Sequence, residues 1–196
     1  HKLRPTYYIE RKKRFPMLFT QRLDLIEGTP DSIRAAIDDV TRLGELLHAR
    51  IPADWPPELL DVPALEWTLR WYANPANDPA FGMYWIVLRE SAASRTLVGA
   101  AGFKGVPSED GTVEIGYGVV PEYQRRGYAT ETVRAFLAHA FASPRVTRVI
   151  AETYPHLAAS IGVLEKCGFT FVGDGSEPGV IRYEIKQTVT SPTAKA

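Results

Sequence analysis

Between a strand-like run ending at Val120 and a helical run lies Gln-Arg-Arg-Gly-Tyr-Ala-Thr, residues 124–130. Its residue types suit an anion. The first N–H groups of a helix have no intrahelical acceptor, and the aligned peptide dipoles add partial positive charge there. Such an end binds phosphate where the backbone can come close. Gly127 permits that approach, Ala129 is nearly as small, and Arg125 and Arg126 bring positive charge. The chemistry on offer is a pyrophosphate cradle. The plainer alternative is a glycine that eases entry into an ordinary helix. No Gly-x-x-x-x-Gly-Lys-Ser/Thr sequence occurs, and Gly116 and Gly118 lack the third glycine of a dinucleotide fingerprint. Cys167, the single cysteine, precedes Gly168 at a helix end and reads as a packing residue rather than a nucleophile. His48, His139 and His156 have no ligand-like spacing, so no metal is expected.

The elements that must position this stretch can be read from periodicity. Residues 20–28 alternate, with Leu23 and Leu25 on one face, as a strand does. Thr29 then stands as N-cap and Pro30 at the first helical position, followed by Ile33, Ala36, Ile37 and Val40 at helical spacing. A second helical piece follows around residues 42–51, then a proline-punctuated run at 52–63 that cannot be one helix. Residues 64–74 form a third helix, with Leu65, Leu69 and Tyr72 on one stripe and Trp67 and Trp71 on another. Residues 83–90, 96–105 and 112–120 are strand-like with short links, an antiparallel meander. The helix after the cradle carries Val133, Phe136, Leu137, Ala140 and Phe141 on one face. A strand at 146–153, a short helix ending at Gly168 and two closing strands complete a mixed α/β domain with a largely antiparallel sheet.

Composition bounds the function. The 196 residues suit one domain, 45% of them hydrophobic and 23% charged, as in an ordinary globular protein. The formal net charge of zero argues against a dedicated nucleic-acid binder. A lone cysteine forbids an internal disulfide and points to a reducing cytoplasm. No apolar run approaches the ~20 residues that span a bilayer, and no secretory signal is visible, so no membrane association is expected. The domain is expected over residues 19–187, with a basic tail at 1–18 (Lys2, Arg4, Arg11, Lys12, Lys13 and Arg14) and a flexible polar tail at 188–196.

The wording around the cradle resembles a known family. Gln-Arg-Arg-Gly-Tyr-Ala at 124–129 matches the Gln/Arg-x-x-Gly-x-Gly/Ala signature of the GNAT superfamily of N-acetyltransferases, which bind acetyl-coenzyme A. EIGYGVVPEYQRRGYATETV is similar to that family's fourth strand and following helix. VIAETYPHLAASIGVLEKCGFTFVG is similar to its fifth strand, next helix and sixth strand. The resemblance is specific over residues 96–173 and nearest to the branch that acetylates ribosomal-protein N-termini and its small-molecule relatives. It implies one twisted, mostly antiparallel sheet of about six or seven strands flanked by helices, splayed between the strands at 112–120 and 146–153. It also implies acetyl transfer from acetyl-coenzyme A to a primary amine; the sequence itself leaves a homodimer open. An acyl-coenzyme-binding regulatory module without efficient catalysis is the alternative, and a nucleotide-binding protein using the same cradle is a third reading.

Residue by residue, the resemblance assigns main-chain pairing with the pantetheine arm to Val119 and Val120. It places the pyrophosphate on N–H groups around Gln124, Arg125, Arg126, Gly127, Tyr128, Ala129 and Thr130, and sets Ser160 near the coenzyme's sulfur, as a contact or a proton donor. An amine with a pKa of about 10 must lose a proton before it attacks, and a placed carboxylate can accept it. Glu114 is the candidate: Val113, Ile115, Tyr117 and Val119 share one face of its strand, and Glu114, Gly116 and Gly118 share the other. A charge in a central strand needs water or a partner, so Glu114 is either this base or an ion-paired glutamate. Glu152 is a weaker second carboxylate. Leu164 stands where many family members carry an acid tyrosine, and Leu157 where many carry asparagine. Trp55, Trp67, Trp71 and Tyr72 are expected as core aromatics or as part of an acceptor pocket, and Trp85 and Phe103 as core.

Overall fold

A computed structural model describes residues 17–187. The chain opens with β1 (Met17–Phe19) and β2 (Leu23–Glu27), then the helices α1 (Pro30–Asp38), α2 (Val40–Leu47) and α3 (Val62–Tyr72). β3 (Met83–Arg89), β4 (Arg95–Phe103) and β5 (Thr112–Val119) form the meander. α4 (Tyr128–Phe141), β6 (Arg148–Thr153), α5 (Ala158–Lys166), β7 (Thr170–Asp174) and β8 (Ile181–Lys186) follow. The eight strands make one sheet in the order β1-β2-β3-β4-β5-β6-β8-β7. Every neighbouring pair is antiparallel except β5 and β6, which the crossover through α4 makes parallel. The strand beyond the expected count is β1, which pairs Met17 with Ile26 inside the segment read as tail.

Local chemistry sets the helix ends. Thr29 caps α1 and exchanges hydrogen bonds with Ser32, a capping box with serine in the usual glutamate position. Ser32 Oγ also accepts from the fully buried Trp85 indole at 2.9 Å, which ties the helix to the sheet. His48 ends α2 in the left-handed conformation.

Each face of the sheet carries its own core, because side chains alternate along a strand. Leu23, Leu25, Tyr84, Ile86, Val113 and Ile115 pack against Val133, Phe136 and Ala140 of α4 and Leu164 of α5. Ile26, Trp85, Val87 and Leu97 pack on the other face against Ile33, Leu43, Leu47 and Leu65 of the first three helices. Trp85 and Phe103 are core residues, as expected. A Cβ on Gly99 would stand 2.2 Å from the Gly118 carbonyl, so only glycine lets β4 and β5 approach so closely here.

Candidate active site

The parallel ladder between β5 and β6 runs from Thr112↔Arg148 to Ile115↔Ala151 and stops. β5 continues to Val119, still paired with β4. Beyond Ile115 the two parallel strands therefore part, and the β6-facing edge of residues 116–119 borders a gap. Val120 N–H donates to Val98 O at 2.9 Å, and Val120 O accepts from Tyr123 N–H at 3.0 Å, so the main chain of Val120 is already engaged. Alternation along an antiparallel ladder then turns the main-chain groups of Tyr117 and Val119 toward the gap. Val119 O accepts from Gln124 Nε2 at 2.9 Å, so the Gln124 side chain braces the loop rather than reaching an anion. The strand edge open to a ligand consists of Tyr117 and the Val119 N–H.

α4 starts beside this edge. Gly127 is its N-cap with φ 84°, offers no side-chain cap, and leaves the N–H groups of Gly127, Tyr128, Ala129 and Thr130 without acceptors among the described residues. Arg125 is also left-handed, with φ 59°. Arg126 lies over the Tyr123 ring at 5.1 Å. The Tyr128 ring is buried in the core, so only its backbone belongs to the cradle. Thr130 O takes a 3.7 Å contact from Cys167 Sγ, which links α4 to α5. Burial pushes the Cys167 thiol up, as suits a packing cysteine.

A third arginine completes the cradle, and it comes from far away in the chain. Arg22, just before β2, donates to Arg126 O at 3.0 Å and lies over the Tyr128 ring at 4.6 Å. Its second terminal nitrogen is 3.3 Å from where a Cβ on Gly127 would be. Glu131, in the first turn of α4, would oppose an anion, but its carboxylate accepts from Arg22 Nε at 2.8 Å, Arg22 N–H at 2.8 Å and Thr20 Oγ1 at 2.5 Å. Burial raises its pKa, and these hydrogen bonds outweigh that and hold it below the usual carboxylate value. The sequence marks residues 20–22 only as the start of a strand-like run, since nothing local distinguishes an arginine whose partners are more than a hundred positions away.

On the opposite face of β5, Glu114 stands just short of the gap with a side chain 21% exposed, its Oε1 ion-paired with Lys104. Lys104 also donates its backbone N–H to Glu114 O at 2.8 Å, and its chain lies along Gly116. Gly118 is covered by Pro57 of the loop between α2 and α3. Trp71 reaches Gly105, while Trp67 is 46% exposed. Tyr72 is structural: its hydroxyl accepts from Met83 N–H at 3.0 Å, and burial raises its pKa. Trp55 packs 6.0 Å from Trp85. Glu152 shares this face of the sheet but is engaged, accepting from Arg182 at 2.7 Å and Ser176 at 2.6 Å. Burial raises its pKa, but the Ser176 and Arg182 bonds outweigh this and lower it, so it makes a poor base.

Across the gap, Ser160 lies in the first turn of α5, whose N-cap, Leu157, makes no side-chain bond. Tyr117 OH sits 3.2 Å from Ser160 O and 3.3 Å from Ser160 Oγ. Leu164 is fully buried in the core and reaches no part of the gap. Among the described residues no group of His, Cys, Asp and Glu could hold a metal ion. No helix among them is long and apolar enough to cross a membrane.

The arrangement can hold an anion at α4 and an extended chain along β5. The profile of the acetyltransferase (GNAT) domain matches residues 34–170. The uncharacterized N-acetyltransferase YjdG of Bacillus subtilis (strain 168) is 32% identical over 85 residues, which are 43% of this chain and 49% of that protein. YoaA, an uncharacterized N-acetyltransferase of the same organism, is 28% identical over 109 residues, 56% of this chain and 57% of that one. The chain thus spans about half the length of the curated relatives it matches. A putative ribosomal-protein-serine acetyltransferase from Vibrio cholerae superposes with a TM-score of 0.60 at 20% identity, covering 87% of this chain and 97% of its own. At that identity the likeness establishes the shared fold.

Proposed function

The chain belongs to the GNAT acetyltransferase family, and from that premise we propose that it transfers acetyl from acetyl-coenzyme A to a primary amine by direct attack on the thioester. The observation that carries this reading is the set of N–H groups at Gly127–Thr130, without acceptors among the described residues and flanked by Arg22, Arg125 and Arg126, beside an open strand edge. These groups fit a pyrophosphate, and the edge fits a pantetheine arm laid down like a further strand.

When bound, the coenzyme supplies an activated acyl carbon. Glu114 accepts the acceptor's proton, directly or through one water, since Lys104 holds only one of its oxygens. Ser160 faces the leaving sulfur from the other side of the gap. The acceptor is a small-molecule amine or a protein N-terminal amine entering on the face of Glu114, where Trp71 and the Pro57 loop form the surround. Cys167 stands free, in keeping with a reducing cytoplasm.

The test is thiol release from acetyl-coenzyme A against a panel of small amines and N-terminal peptides. Release with at least one amine, and acetylated product by mass spectrometry, is expected. Tight coenzyme binding with no release on any amine would instead support the regulatory-module reading, which the burial of Leu164 at the family's acid position favours. Protection against melting by ATP but not by coenzyme A would replace both.

A further inference from the structure

With Leu164 buried in the core, α5 offers no tyrosine to the departing sulfur. We propose that Tyr117, from β5, is a positioning residue that holds the Ser160 hydroxyl as a hydrogen-bond donor to the leaving thiolate. This rests on the acetyltransferase reading above.

The placement comes first. Tyr117 is the second residue of β5 beyond the last pair with β6, so its backbone borders the gap, and its side chain packs on the α4–α5 face. Its hydroxyl spans from β5 to α5 and ends on Ser160, with oxygens at 3.2 and 3.3 Å. The phenol's one hydrogen is directed at Ser160 O and shared with Ser160 Oγ; the share that reaches Oγ fills a lone pair there and leaves the serine's own hydrogen pointing away from the phenol. In the proposed arrangement that hydrogen points into the gap. Chained hydrogen bonds also polarise one another, which makes the serine a better donor than a lone hydroxyl.

Two further features point the same way. Burial pushes the Tyr117 phenol up to about 12, so it keeps its proton throughout the working pH range and has it available to donate. Among the described residues the N–H groups of Ala158, Ala159 and Ser160 have no acceptor, and no side chain caps α5. The positive end of α5 therefore faces the same spot and favours negative charge there.

In the transfer step, a bond forms between the amine nitrogen and the acetyl carbon, and the carbon–sulfur bond breaks. The sulfur leaves with the bonding electron pair as a thiolate, and the amine's proton goes to Glu114. A thiol pKa of about 8.5 makes a thiolate a tolerable leaving group once hydrogen bonds meet it. Full protonation by the enzyme is not required, so a serine held by a tyrosine can stand in for an acid.

The thiol of coenzyme A bound to the protein tests this without any acceptor. Thiolate absorbance is followed against pH, with the coenzyme-free protein subtracted to remove Cys167. In the wild type the bound thiol should ionise at least about one pH unit below the free coenzyme, as hydrogen bonds to the charged form imply. Tyr117→Phe and Ser160→Ala should each return it toward the free value, and the double variant should move it no further than Ser160→Ala alone. Ser160→Ala, a small change at a half-buried position in the first turn of α5, keeps the test decisive if Tyr117→Phe does not fold. An unshifted thiol in a wild type that binds coenzyme and acetylates amines overturns this inference alone. So does Tyr117→Phe with wild-type ionisation. Absence of coenzyme binding by the wild type overturns the acetyltransferase reading and this inference together.

Discussion

The two sides of the gap between β5 and β6 are built in different ways. The side proposed for the coenzyme is assembled, apart from Arg22, from neighbours in sequence: a strand edge, a loop with two left-handed residues and the first turn of α4, within residues 116–130. Its proposed binding groups are mainly backbone N–H, so its chemistry depends on conformation. The proposed acceptor side gathers Glu114, Lys104, Trp71 and Pro57 from separate elements, and its chemistry depends on side chains. A backbone site tolerates exchange of neighbouring side chains and fails when the backbone is blocked. A side-chain site keeps its shape and loses one function at a time.

The largest expected effect breaks the backbone half. Gly127→Asp puts a carboxylate where the phosphate would rest, and like charges brought together at a binding site cost several kcal/mol. Coenzyme affinity measured by calorimetry should fall about 100-fold or more. Gly127→Asn separates charge from strain, because asparagine tolerates the left-handed conformation that Gly127 adopts. It should lose much less affinity. Equal affinity for Gly127→Asp and wild type would remove the cradle.

The side-chain half should fail differently. Glu114→Gln keeps coenzyme affinity but lowers kcat about 100-fold, the usual scale of a lost general base. The loss should shrink as pH rises toward the pKa of the amine, about 10, where the acceptor deprotonates unaided. Full activity at neutral pH would show that Glu114 is only the partner of Lys104.

This contrast also explains what could be read from the chain. Thr29 and Pro30 announce α1, the spacing from Val133 to Phe141 announces α4, and the glycine and arginines of 124–130 announce the cradle, because each signal is local. β1 escaped because a strand of three residues carries no period. Arg22, Lys104 and Tyr117 escaped because their meaning lies in partners: Glu131 for the first, Glu114 for the second, Ser160 for the third. The Val120 assignment shows the remaining difficulty. Which edge a main-chain group faces changes at every residue, so a shift of one position moves the role to Val119 and Tyr117.

Arg22 sharpens the comparison, since it adds a side chain to the backbone half. Arg22→Ala should weaken coenzyme affinity about 10-fold or somewhat more, the scale of one charge-assisted contact, and leave kcat at saturating coenzyme near wild type. It also strands Glu131 without its ion pair beside the phosphate site. The double variant with Glu131→Gln removes that repulsion and should recover part of the affinity. If the double variant recovers all of it, Arg22 serves only to neutralise Glu131.

The smallest effect concerns a carboxylate on neither side of the gap. Glu27, at the end of β2, is nearly buried, and burial first and the charge of Asp78 second raise its pKa to about 7. A perturbed acid commonly marks a working site, yet Glu27 pairs with Tyr84, whose hydroxyl donates to Ala80 O, and His139 near the end of α4 meets the same carbonyl. The gap lies at the other end of that helix. The folded protein binds this proton more tightly than the unfolded chain, whose carboxyl titrates near 4.5. The group's contribution to stability is thus fully present below about 4.5 and is lost as pH rises through about 7. Glu27→Gln abolishes that loss. It should raise the Tm by about 2–4 °C at pH 8, by progressively less as pH falls toward 5, and leave acetyl transfer unchanged. A drop in kcat would mean that ionisation rather than placement around the gap marks function in this fold, and a Tm gain larger at pH 5 than at pH 8 would mean that the Glu27 pKa is not raised.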